Sequence, residues 1–149
     1  MSTDRSRLLF PIFAPLYEFG DKWGWTILRI VLGIWLLPHG FPKLFGDDAI
    51  PTSRNFVAFG WAYPIAWAYF IGAVEFFGGI ALILGIGTRL VAAMVAVQFF
   101  VITFFIMYPN WGWNKRGMEY VLIMCIIAVL FVLRGGGRHS LDNYLSKEL

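Results

Sequence analysis

The sequence predicts an all-α integral membrane protein, a bundle of four transmembrane helices in up-down order with both termini cytoplasmic. Three observations predict it. Apolar residues make up 59% of the 149 residues, and mean hydropathy is +0.69. Charged residues are only 14%, well below the share in a soluble domain. The apolar residues also gather into four runs, at about 25–45, 63–85, 90–108 and 118–134, joined by shorter polar connections. Aromatic residues reach 19%, as expected where Trp and Tyr belt both membrane interfaces. The net charge of +3 is scattered and lies mostly outside the apolar runs. That pattern argues for anchoring at a membrane surface and against nucleic-acid binding.

Residues 1–22 form a short basic head (Arg5, Arg7) followed by LLFPIFAPLYEFG. Pro11, Pro15 and Glu18 break this run, so it reads as a cytoplasmic interfacial segment too short to span. It also lacks the small-residue cleavage site of a secretory signal.

The first span, from Trp25 to Phe45, carries Arg29, His39 and Lys43 in an otherwise apolar stretch. At about 100° per residue, Arg29, Gly33, Leu36, Gly40 and Lys43 share one stripe. Charges on that stripe exclude lipid, and its glycines admit a close neighbour, so it demands a partner helix. A polar loop, 46–60, leads to the second span, in which Ala68, Gly72, Glu75 and Gly79 share a face. A GIGTR turn opens the third span, whose clearly polar side chains are Gln98 and Thr103. The aromatic, basic loop PNWGWNKRG precedes the fourth span, which has Glu119 in its first turn and Arg134 at its end. The three segments are therefore 1–22, the membrane domain 23–134 and a cytoplasmic tail 135–149, with a helix expected to start at Ser140. Ser140 or Asp142 is the expected cap there.

Four spans put Arg5, Arg7, Lys22, Arg89, Arg134, Arg138 and Lys147 on one side. Lys43, Arg54, Lys115 and Arg116 fall on the other. The surplus puts both termini inside, in a multi-pass protein of the plasma or inner membrane.

The string Arg29, Gly33, Gly40, Lys43 resembles the first helix of the DoxX family of small four-helix membrane proteins. VEFFGGIALILGIGTRL, with Glu75, Gly78, Gly79, Gly85, Thr88 and Arg89, is similar to that family's second helix and turn. Glu119 and the closing GGGRHSLD complete the likeness over about residues 24–142. The family includes a membrane subunit of thiosulfate:quinone oxidoreductase, and other members associate with sulfurtransferase or superoxide dismutase partners. The resemblance thus implies a membrane subunit of an oxidoreductase system, with quinone as its cofactor and other subunits or a second copy as partners. The competing reading is a non-catalytic scaffold that recruits or stabilises a partner enzyme. Small-molecule transport is less favoured, because no internal repeat is present.

Glu75, Glu119, His39 and Lys43 are the candidates for proton exchange, expected to gather in the outer half of the bundle. They serve either a quinone headgroup or a structural ion-pair network. Trp111 and Trp113 either stack on a ring ligand or belt the interface, and Tyr120 is a donor or an anchor. Arg29 is a further binding candidate, with snorkelling or local pairing as its alternative. A metal is not expected, because the second histidine, His139, falls in the tail. The one cysteine, Cys125, reads as a small buried apolar residue.

Overall fold

The computed structural model describes residues 5–144, without the side chains of Arg5 and Trp113. Lys147, counted above in the charge balance, lies outside the described residues. No strand occurs among the described residues. The main helices are α1 (Ala14–Phe45), α2 (Ala49–Ala58), α3 (Pro64–Leu84), α4 (Thr88–Val101) and α5 (Glu119–Arg134). A π-helical segment, Ile102–Met107, continues α4. Three stretches are long and apolar enough to cross a membrane: Pro11–Phe45, Pro64–Leu84 and Thr88–Met107. With 16 residues, α5 reaches only about 24 Å at ~1.5 Å per residue, short of the ~30 Å hydrocarbon core.

Two local expectations need correction. The first helix begins at Ala14 and not at Trp25. Pro15 falls in its first turn, where the missing N–H has no partner to lose and the fixed φ suits a helix. A proline read as a breaker is therefore a starter. The 46–60 connection is also not a plain loop, since α2 occupies Ala49–Ala58.

The helices α1, α3, α4 and α5 share one apolar core, which includes Leu36, Leu82, Val95, Phe99, Ala128 and Phe131. The contact between α1 and α3 is the tightest, and glycine is the reason. A Cβ on Gly33 would lie 2.6 Å from the Gly79 carbonyl oxygen, and one on Gly79 would lie 2.8 Å from that of Gly33. Gly40 presses in the same way on the backbone of Phe76 and Gly72. The two backbones touch at these points, which gathers dispersion contacts that lipid cannot replace.

At the opposite end from α2, the closing segment folds back on the α3–α4 turn. The Asp142 carboxylate accepts the N–H groups of Gly87 at 2.6 Å and Thr88 at 3.0 Å. Asp142 therefore caps α4, a different helix from the tail helix it was expected to start. The Asp142 N–H and the Ser140 hydroxyl donate to the Gly85 carbonyl at 2.8 and 2.7 Å. Gly85 and Gly87 have φ of +75° and +57°, so the turn that presents these groups needs glycine. On this same end the Trp25 indole donates to the Gly135 carbonyl at 2.9 Å, and the His139 ring stacks 4.0 Å from Trp23. Burial alone would raise the Asp142 pKa. The Thr88 hydroxyl, the Thr88 and Gly87 N–H groups and the Ser140 hydroxyl outweigh it and hold the pKa below the ordinary 3.8.

Gly40→Leu should lower stability in detergent by about 1–3 kcal/mol, the range for overpacking. Gly24→Leu, at a position with open space around it, should change it by less than about 0.5 kcal/mol. Equal unfolding of the two variants would contradict the packing argument. Asp142→Ala should cost about 0.5–2 kcal/mol at neutral pH. The depressed carboxylate contributes fully above pH 3.8 and loses its contribution as pH falls through the lower folded value. Unfolding measured against pH should therefore show the difference between wild type and Asp142→Ala shrink at the acid end.

Candidate functional site

The site is built on the glycine contact. Gly72 lies one turn before Glu75 on α3, and a Cβ there would sit 2.8 Å from Lys43 Cβ. With no side chain at Gly72, the Lys43 stem from α1 lies across α3 and its ammonium reaches Glu75. The Lys43 Nζ to Glu75 Oε2 distance is 2.6 Å, and Nζ also donates to the His39 carbonyl at 2.7 Å. From α4, Gln98 Nε2 donates to Glu75 Oε1 at 2.5 Å. Both carboxylate oxygens are thus held, one from α1 and one from α4. Glu75 is 5% exposed and Gln98 6%. Burying a carboxylate is costly unless it is paired and hydrogen-bonded, and here Lys43 and Gln98 do both.

These three side chains line a cavity of about 540 Å³. Its walls are apolar and aromatic: Phe56 and Phe59 from α2 and its end, Trp61 and Trp67, Phe70, and Met94 with Val97 on α4. The π-helical segment adds Ile102, Ile106 and Met107. Thr52 and Asn55 on α2 are the other polar residues lining it. Trp61 and Trp67 meet edge-on at 4.9 Å, and Phe56 lies 5.5 Å from Trp61, so the wall is a packed aromatic sheet. An apolar chamber with a few converging polar groups is the usual form of a small-molecule site.

The other sequence candidates lie elsewhere. The His39 ring is exposed and leans on Trp35 at 4.4 Å, so this residue gives the cluster its backbone carbonyl and not its imidazole. Glu119, Tyr120 and Trp111 line a second, separate groove of about 350 Å³ on α5. Tyr120 packs edge-on against Trp35 at 5.1 Å. The expected gathering of four ionisable groups is therefore two, Lys43 and Glu75. Glu119 starts α5 and lines the groove there. The side chain of Trp113 lies outside what the structure describes.

Arg29 is far from the cavity. It is 1% exposed, donates from Nη2 to the His139 carbonyl at 2.8 Å, and packs directly on Gly85. It does not snorkel to water but is buried under the folded-back tail, close enough to Asp142 for their charges to interact.

Two contributors escaped the sequence reading. Gln98 had a signal, as a lone amide in an otherwise apolar span. The α2 residues had none, because 46–60 reads as a polar connection.

Residues 24–108 match the model of the DoxX family. No curated relative and no solved structure matches the chain.

The pairing geometry makes a thermodynamic prediction. Lys43→Met alone leaves the buried Glu75 without its cation and should destabilise by about 3–5 kcal/mol. Lys43→Met with Glu75→Leu should recover most of that loss. A double-mutant cycle by denaturant unfolding checks it, and additive effects would show that the pair is not coupled.

Proposed function

The chain belongs to the DoxX family, and from that premise we propose that it is a membrane subunit of an oxidoreductase system that holds a quinone headgroup in the aromatic cavity. The observation that carries this reading is the cavity itself, apolar over nearly all its wall and ending on Lys43, Glu75 and Gln98. Its size suits a substituted ring with the start of an apolar tail. The donor set also fits. An ammonium has three N–H groups, and Lys43 gives two of them to His39 and Glu75. One remains for a ring carbonyl. When bound, a quinone supplies two-electron chemistry coupled to protons. The chain's part is to exclude water with the Phe56, Phe59, Trp61 and Trp67 wall, to orient the ring by Lys43, and to hold or release a proton at the Glu75 carboxylate.

In this reading α5 is the fourth span, shortened at the membrane boundaries, and both termini are cytoplasmic. The lysine and arginine balance supports that orientation. It puts the cavity in the outer half of the inner membrane and the tail lock on the cytoplasmic side. The partners are the bilayer and other subunits or a second copy.

One observation favours the scaffold alternative. Glu75 has both oxygens engaged within the protein, which is also how a structural lock between α1, α3 and α4 is built. The two readings separate on Glu75→Gln. If the site services quinone, the variant should assemble normally while quinone reduction per assembled complex falls by 10²-fold or more, the scale for losing a proton-transfer group. If the pair is only a lock, yield or stability should fall while turnover per complex stays normal. Measuring both quantities on one preparation decides between them.

A further inference from the structure

The Gln98 amide is satisfied on one side only. Its Nε2 faces the Glu75 carboxylate, and this orientation is required because a carboxylate can only accept. That leaves Gln98 Oε1, which is buried and has no hydrogen-bond partner among the described residues. An orphaned amide oxygen beside a bilayer core is costly, and leucine or methionine would fill the same space without that cost. A ligand in the cavity does not reach this oxygen, because it is shielded from solvent-sized probes. When Glu75 becomes a carboxylic acid, its new O–H is a donor at the place where the amide now presents Nε2.

We propose that Gln98 is a positioning residue for proton exchange at Glu75, its amide turning over when the carboxylate takes up a proton. The terminal torsion of glutamine is broad and roughly two-fold, so the amide can reverse with its stem in place. Reversal brings Oε1 to where Nε2 now lies, 2.5 Å from Glu75 Oε1, where it accepts the new O–H. The orphaned group then becomes Nε2 in place of Oε1. Each protonation state leaves one amide atom unpaired, so the amide serves both states at similar cost. The proton balance is simple: one proton enters from the acidified bulk solvent, the carboxylate becomes neutral, Lys43 remains an ammonium, and the net charge of the site rises by one.

The groups facing Glu75 are few. From α1 come Lys43 and, at longer range, His39, and from α4 comes Gln98. Lys43 and Glu75 are the ionisable residues among those lining the cavity, and α2 adds uncharged Thr52 and Asn55. This inference concerns the pair itself, so it can fail or stand apart from quinone binding.

The test is infrared difference spectroscopy of the purified protein in lipid nanodiscs, with no ligand added, on stepping the pH down. Wild type should develop a carboxylic-acid carbonyl band at a hydrogen-bonded frequency, and Glu75→Gln should lack it. In Gln98→Leu the band should move to a higher frequency, that of an acid whose carbonyl still accepts from Lys43 but whose O–H is no longer donated. Gln98→Asn, which keeps the amide on a shorter stem, should restore part of the shift. Should Gln98→Leu not fold, wild type alone carries the test through its labelled glutamine side-chain amide resonances, which should move in step with the Glu75 band. An unchanged band frequency in Gln98→Leu, amide resonances that ignore the Glu75 titration, or no Glu75 band at any pH short of unfolding would each overturn the proposal. Quinone bound to a protein that fails these tests would leave the site and remove only the role of Gln98.

Discussion

A charge inside a lipid-embedded bundle must meet an opposite charge or a set of dipoles within the protein, and the rest of this molecule follows from how it meets that demand. It does so twice, by different means. Near α2 the means is close approach of helices: glycines let α1 and α3 touch, and the space at Gly72 lets Lys43 reach Glu75. At the other end the means is a folded-back chain. The segment after α5 brings the His139 carbonyl to Arg29 and the Asp142 carboxylate to the start of α4. A glycine stripe and a polar tail thus solve the same electrostatic problem.

The two solutions leave different surroundings. The tail end is filled: Gly85 has the Arg29 guanidinium and the Ser140 hydroxyl against it, and Trp25 lies against Gly137. The α2 end is open, because aromatic side chains from α2, α3 and the connection between them line a cavity without filling it. The π-helical segment contributes to this. Its wider turn carries Ile102, Ile106 and Met107 to the cavity while Thr103 is fully buried on another side. The polar cluster therefore lies at the end of an apolar, aromatic cavity.

Much of the fold was legible in the sequence because lipid enforces simple rules. Runs of apolar residues mark the helices, and charges sharing a face with glycines mark the sides that need protein. That logic placed Gly33 and Gly40 against a neighbour and put Lys43 and Glu75 in one expected cluster. It failed where the decision was local or long-range. Pro15 breaks a helix interior but starts a helix, and composition cannot say which position it holds. Asp142 sits in a segment that looks ready to cap its own helix, yet the α4 terminus competes for it from 54 residues away. Glu119 carries the same chemistry as Glu75, yet it lines a different groove, beside Trp111 and Tyr120. The cavity was hidden in part because Thr52, Asn55 and Phe56 of its wall come from α2, whose sequence reads as a connection.

The central claim is that the chamber ending on Lys43, Glu75 and Gln98 is a headgroup site reached from lipid. A photoreactive quinone analogue, crosslinked to the protein in native-like bilayers and mapped by peptide mass spectrometry, tests it most directly. The account predicts adducts on cavity-wall residues such as Trp67, Phe70, Met94 and Met107, and their suppression by excess natural quinone. Adducts confined to the groove of Trp111, Glu119 and Tyr120, or labelling that excess quinone does not reduce, would contradict it.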